Sequence, residues 1–217
     1  MTVPRTARPP TKKGVTLHYR DLDPGELDHQ GVTSALRTVL DCAATMSFRE
    51  ALAIADSACR MELITKEQLL RAALRLRGPG SRKARRVAEH ADGRADNPFE
   101  SALRAIVIER GITGFQPQLL IPHGYGPGRS GDDRDKRVDL GDPVRMVIFE
   151  ADSFEHHGTR NALASDCRRY DELVSQGWIL LRFSYEQTMD DPVRTGDQME
   201  EACRVAEVGA IRARTTN

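Results

Sequence analysis

Residues 137–158 read RVDLGDPVRMVIFEADSFEHHG, and this stretch decides the fold. A Gly141-Asp142-Pro143 turn separates two strand-like runs, 137–140 and 144–152. Side chains alternate along a strand, which puts Val144, Met146, Ile148, Glu150 and Asp152 on one face. Val147, Phe149 and Ala151 take the other. The second strand is apolar along its length yet ends in two carboxylates on the same side. Asp139 sits on the preceding strand and reaches the Glu150 end only if the two strands pair with an offset register, which the sequence leaves open.

Two or three acids at close range repel, so they either take up protons or recruit a cation. An all-oxygen set with open water positions suits Mg²⁺ or Mn²⁺. Such an ion polarises a phosphodiester and lowers the pKa of a bound water for in-line attack. The bland alternative makes Asp139 a residue near a turn, with Glu150 and Asp152 ending a strand at solvent. The apolar run before them, and His156 and His157 just after, favour the metal reading for Asp139, Glu150 and Asp152. Either histidine is a candidate general base, metal ligand or phosphate contact, and a solvated loop is the alternative.

The flanking segments extend the pattern. Asn97-Pro98 reads as the cap and first residue of a helix over 97–110, ended by Gly111. A strand at 115–122 follows, then a Gly- and Asp-rich loop over 123–136 expected to be mobile. Downstream come a helix over 159–176 closed by Gly177, a buried strand over 178–184 (WILLRFS) and a last helix over 197–206. From residue 97 the order is α-β-β-β-α-β plus a terminal helix, which predicts an α/β domain with a mixed sheet. Glu100 is placed to be a capping-box acid, a further acid aimed at the metal site, or both. On the crossover helix Asp166 shares a face with Arg169 and Tyr170. Arg160, Arg168 and Arg169 can grip phosphates, and an Asp166–Arg169 ion pair is the alternative. Trp178 is expected in the core. Arg182, in an otherwise apolar strand, is expected to be functional or paired with Asp139 or Glu150.

Residues 1–14 read as a flexible basic arm without the apolar stretch of a secretory signal. Residues 15–34 look like a strand or hairpin remnant. Helices are predicted over 35–44, 48–61, 66–77 and 81–91, capped in turn by Thr33 or Ser34, Ser47, Thr65 and Ser81. A polar break at 92–96 divides a mostly helical segment (15–94) from the second domain (95–217). Arg75, Arg77, Arg82, Lys83, Arg85 and Arg86 fall within twelve positions that contain no acid. They form a candidate DNA-backbone patch, with a solvated helix face as the alternative. Net charge is zero over 217 residues, with 32 basic and 32 acidic, so only local patches can attract nucleic acid. Hydrophobic residues at 39% argue against disorder, and no run approaches the length of a membrane helix. Four cysteines without C-x-x-C spacing point to a reducing cytoplasm rather than a zinc knuckle or disulfide scaffold.

The string NPFES, RVDLGDP, VIFEADSFEHHG, DCRRYDELVSQGWILLRFS resembles the PD-(D/E)XK nuclease superfamily. Within it the chain is similar to domains of unknown function related to very-short-patch-repair endonucleases. That resemblance implies a restriction-endonuclease-like αβββαβ core. Asp139 would be the acid on the second strand, Glu150 the acid on the third and Glu100 the acid on the first helix. The family's pattern has Lys two residues after the second acid, where this chain has Asp152. The segment GVTSALRTVLDCA…EALAIADSA resembles part of AbiEi-type antitoxin proteins of actinobacteria. The resulting expectation is a cytoplasmic, Mg²⁺- or Mn²⁺-dependent DNA endonuclease of repair or restriction type. Asp139, Glu150 and Asp152 would hold metal, with Glu100 a further ligand. Arg160, Arg169 and Arg182 would hold phosphate, and Arg82, Lys83, Arg85 and Arg86 would contact DNA. The alternative is a non-catalytic DNA-binding or antitoxin-like module that keeps the nuclease fold. A nuclease cutting both strands often dimerises, so a homodimer stays open; no membrane association is expected.

Overall fold

A computed structural model of the chain describes residues 2–3, 5–10, 12–27, 30–122, 135–152 and 160–215. Near the N-terminus β1 (Thr2–Val3) pairs in parallel with β2 (His18–Tyr19). Beyond β2, the expected hairpin remnant reduces to one bridge between Leu27 and Thr33. Four helices follow: α1 (Ala35–Thr45), α2 (Phe48–Arg60), α3 (Lys66–Arg75) and α4 (Ser81–His90). Ser34 caps α1, and reciprocal capping boxes open α2 (Ser47 with Glu50) and α3 (Thr65 with Gln68), each satisfying otherwise orphaned amides. The cap of α4 departs from expectation. Gly80, not Ser81, is its N-cap, in the left-handed region at φ +83°. A Cβ there would lie 2.5 Å from the Ala44 carbonyl oxygen, so this turn needs glycine to pass α1 closely. The apolar faces meet around Val39, Leu40, Ala51, Ala55, Leu69, Ala84 and Val87, where small alanines let the helices approach.

The 91–97 segment is tied down rather than loose. Ala91 and Ala95 are fully buried, and the Asp92 amide donates to Asp56 Oδ1 at 2.8 Å. Asp56, buried on α2, also accepts the Arg104 guanidinium at 2.6 Å. The other Arg104 terminal nitrogen donates to the His90 carbonyl at 2.8 Å. Arg104 belongs to the next helix, so a buried ion pair fastens that helix to the four before it.

The remainder of the chain runs α5 (Pro98–Glu109), β3 (Gln116–Ile121), β4 (Lys136–Asp142), β5 (Val147–Asp152), α6 (Arg160–Ser175), β6 (Ile179–Ser184), α7 (Tyr185–Asp190) and α8 (Pro192–Thr215). The chain is α/β, and the α-β-β-β-α-β order expected of the sequence is present. The sheet order is β3-β4-β5-β6; β3, β4 and β5 are antiparallel neighbours, and β6 lies parallel to β5 after the α6 crossover. The alternation along β5 sorts the layers. Val147 and Phe149 pack with Leu103, Ile106 and Val107 of α5 and Met199 of α8. Ile148 packs on the other side with Leu173 of α6 and with Trp178, which is core as expected.

Several boundaries differ from the sequence reading. Gly141 and Asp142 belong to β4, the turn is residues 143–146, and β5 begins at Val147 rather than Val144. Asp142 causes this. Its Oδ1 accepts the Val144 and Arg145 amides at 2.9 and 3.1 Å, and its Oδ2 accepts the Arg145 guanidinium at 2.6 Å. Met146, at φ +56°, completes the reversal, and Val144 is left 90% exposed. Helix α7 has no counterpart in the sequence reading. Helix α8 starts at Pro192 because Asp191 accepts the Arg194 amide at 3.1 Å, making Asp-Pro a second cap signal ahead of the expected 197–206 helix. The glycine-rich 123–134 stretch lies outside the described residues.

Candidate functional site

The β4–β5 ladder pairs Asp142 with Val147, Gly141 with Ile148 and Leu140 with Phe149. Continuing it by one rung sets Asp139 against Glu150. The four-residue turn therefore supplies the offset that the metal reading required. Past Leu140 a side chain takes over from the backbone: Asp139 Oδ2 accepts the Ala151 amide at 2.8 Å, and the Asp139 and Glu150 carboxyls lie close enough to act on each other electrostatically. Glu150 is 5% exposed and lies beside Arg182 in the parallel register of β5 and β6.

Glu100 reaches the same place from the first turn of α5 and is buried. Its Oε2 accepts the Asp96 amide and the Gln118 side-chain amide, each at 2.8 Å, and its Oε1 accepts the Asn97 side-chain amide at 2.7 Å. The capping-box role is thus met one residue early: the carboxylate reaches the Asp96 amide rather than the cap's own. Gln118 escaped the sequence reading. It falls opposite Asp139, between the Pro117–Leu140 and Leu119–Val138 pairs, and holds φ +52° inside a strand. A non-glycine residue in that region is strained and tends to persist where the surroundings hold it in place. A polar residue inside FQPQLLIP was the sole sequence signal. Exposed Asp96, also missed, adds negative charge to Asp139 and Glu100.

Burial and mutual repulsion set the protonation of these acids. Glu150 is pushed up to about 8, first by burial, then by Asp139; Arg169 and Arg182 pull it back. Glu100 is pushed up to about 7 by burial and Asp139, against the Asp96 amide and Gln118. Burial also raises Asp139, against the Ala151 amide and Arg169. Asp139 and Glu150 each make the other harder to ionise, because two buried carboxyls at close range cannot both bear full charge cheaply.

Two guanidiniums border the acids. Arg169 donates to Glu150 Oε1 at 2.9 Å and to the Arg137 carbonyl at 2.6 Å. Arg182 pairs with Asp152 Oδ2 at 2.8 Å, not with Asp139 or Glu150 as expected. Both flank Tyr170, with guanidinium carbons 4.3 Å (Arg182) and 5.4 Å (Arg169) from its ring centroid. Asp139, Glu150 and Asp152 were expected to form one ligand set. Among the described residues, however, no three His, Cys, Asp or Glu side chains are arranged to hold a metal ion. What does fit a hard divalent cation is the Asp139–Glu150 pair. It is an oxygen-only donor set whose two carboxyls oppose each other across the β4–β5 ladder. His156 and His157, and the side chains of Arg160 and Asp166, lie outside the described residues.

On α4, Arg82, Lys83 and Arg86 are exposed, and Arg82 and Lys83 line a shallow hollow with the Gly78-Pro79-Gly80 turn. Arg85 is half-buried and turned inward, donating to the Leu76 carbonyl at 3.3 Å. Arg86 lies over the Phe48 ring, 4.2 Å from its centroid.

Two proteins of Mycobacterium tuberculosis, described as uncharacterized, one from strain CDC 1551 / Oshkosh and one from strain ATCC 25618 / H37Rv, are similar to this chain. Each is 29% identical over 164 residues, which covers 75% of this chain and 58% of the relative. The chain thus matches under two thirds of those relatives' length. No family model matches it, and no solved structure matches it. Among the described residues no helix is long and apolar enough to cross a membrane.

Proposed function

We propose that this chain is a divalent-metal-dependent DNA endonuclease of the PD-(D/E)XK kind, hydrolysing a phosphodiester in the cytoplasm. The observation that carries the reading is the convergence of Glu100, Asp139 and Glu150, from three different elements, into one buried cluster too negative to stay fully ionised. A strained backbone position such as Gln118, beside acids that hold protons well above their usual range, is a common mark of a working site. Asp139 and Glu150 would hold Mg²⁺ or Mn²⁺, which would supply positive charge at the scissile phosphate and lower the pKa of a water so that its deprotonated form can attack. Glu100, fixed by Gln118 and Asn97 and titrating near neutrality, is suited to take up or return a proton. His156 or His157 is the other candidate base. Arg169 and Arg182 would meet the phosphate, while Arg82, Lys83 and Arg86 would follow the DNA backbone. Arg85, turned inward, is left out of that contact. Four free cysteines suit the reducing compartment.

A second reading, a DNA-binding or antitoxin-like module without catalysis, is favoured by one observation. Where the family carries Lys, this chain has Asp152, already neutralised by Arg182. Nicking of plasmid DNA in Mg²⁺ tests the first reading. Wild type should cut, and Asp139→Ala/Glu150→Ala should not, with its melting transition intact. Cutting retained in that double variant would reject the assignment. Absence of Mn²⁺ affinity by calorimetry, with and without DNA, supports the second reading.

A further inference from the structure

Each carboxylate that ends β5 is held by its own arginine, and both arginines lean on one aromatic ring. We propose that Arg169 and Arg182 form a phosphate-operated latch. At rest they keep Glu150 and Asp152 from a divalent cation. A DNA phosphodiester competes for the two guanidiniums and thereby releases the acids to bind metal. The inference rests on the metal-dependent reading above and adds an order to it: DNA and metal bind with positive coupling.

Three features carry it. The pairs are made by adjacent strand positions on one face, Glu150 with Arg169 at 2.9 Å and Asp152 with Arg182 at 2.8 Å, so a single ligand can reach both. The guanidiniums are not sealed in: the Arg169 and Arg182 side chains are 30% and 31% exposed, while Glu150 beneath is 6%. Tyr170 gives both arginines a stacking surface that does not depend on the carboxylates. Each head can therefore turn from acid to phosphate while its contact with the ring persists. A planar guanidinium binds phosphate as readily as carboxylate, by the same paired N–H geometry. The exchange moves no covalent bond. Two acid–arginine pairs become two phosphate–arginine pairs, and the charge left on the acids is met by the cation. The latch also accounts for the absence of a ready three-acid group among the described residues.

The test is calorimetric titration of Mn²⁺ into the full chain, with and without a short duplex bearing phosphorothioate linkages, the Mn²⁺–duplex heat being subtracted. Wild type should bind Mn²⁺ at least about fivefold more tightly with the duplex, within the usual span of coupling between sites. Arg169→Met/Arg182→Met should bind Mn²⁺ more tightly than wild type without DNA and gain little from it. Arg182→Gln alone, which keeps the stem on Tyr170, should show part of the same gain if the double variant fails to fold. By linkage, Mn²⁺ must tighten duplex binding to wild type by the same factor, which fluorescence anisotropy reads independently. Equal or weaker Mn²⁺ affinity in the arginine variants overturns the latch and leaves the endonuclease reading standing. Absence of Mn²⁺ binding in every protein, with and without duplex, overturns both.

Discussion

Replacing Glu150 by Gln should stabilise the fold at high pH and leave it nearly unchanged at low pH. Glu150 titrates near 4.5 in the unfolded chain and about 8 in the fold. A carboxyl raised in this way contributes stability that is whole below pH 4.5 and is lost as pH climbs through 8, because the folded state must then bear a buried charge. At 1.36 kcal/mol per tenfold change in proton affinity, the ceiling for the whole shift is roughly 5 kcal/mol. Asp139 is itself pushed up by burial, and Arg169 and Arg182 remain close, so roughly 2–3 kcal/mol is the expected gain for the neutral isostere at pH 9. For a chain of this size that is about 5–10 °C in Tm. Thermal unfolding followed by circular dichroism at pH 5, 7 and 9 would read it, with wild type and variant side by side. The pairing matters because His90 acts in the opposite direction. Burial and the nearby Arg104 and Arg86 hold its pKa down, so its share of stability is present above pH 6.5 and is lost as pH falls. That contribution is common to both proteins and cancels. A variant that melts below wild type at pH 9, or that shifts Tm equally at all three pH values, would refute the buried-proton account.

Asp56→Ala would strand the Arg104 guanidinium between α2 and α5 and should cost about 3–5 kcal/mol in urea unfolding, a larger loss than for any exposed pair. Gly80→Ala places a Cβ against Ala44 at a left-handed position and should lose at least about 1–2 kcal/mol from the backbone alone, measured by the same transition. Arg82→Ala/Lys83→Ala should weaken DNA binding alike across sequences and reduce the slope of log affinity against log salt by about 2; an unchanged slope would remove α4 from the interface.

The parts of the fold legible in the sequence were those written in local chemistry. Capping boxes at Ser47 and Thr65 and the Asn97-Pro98 start located three helices to within a residue or two. Two-residue alternation sorted Phe149 from Ile148 correctly. The misreadings came where a side chain overrode pattern. Asp142 looked like part of a turn but is a strand residue that organises the turn after it, so β5 was started three residues early. In the candidate site, the acids could be named from sequence, but their partners could not. Arg169 meets Glu150 because α6 crosses one face of the sheet, and Arg182 meets Asp152 because β6 pairs in parallel with β5; both are long-range facts that no spacing encodes. Gln118 carried no local signal for its strained backbone, which tertiary contacts impose.

The short reversal from Pro143 to Met146 acts as a gauge for the whole centre. Solvent-facing Val144 can drift in identity across descendants of this chain with little consequence. The number of residues between Asp142 and Val147 cannot. One added or removed would put β5 out of step with β4, turning Glu150 toward the Phe149 layer and leaving Asp139 opposite Phe149 or Ala151. Natural variation in this hairpin should therefore appear as substitution, with its length held constant.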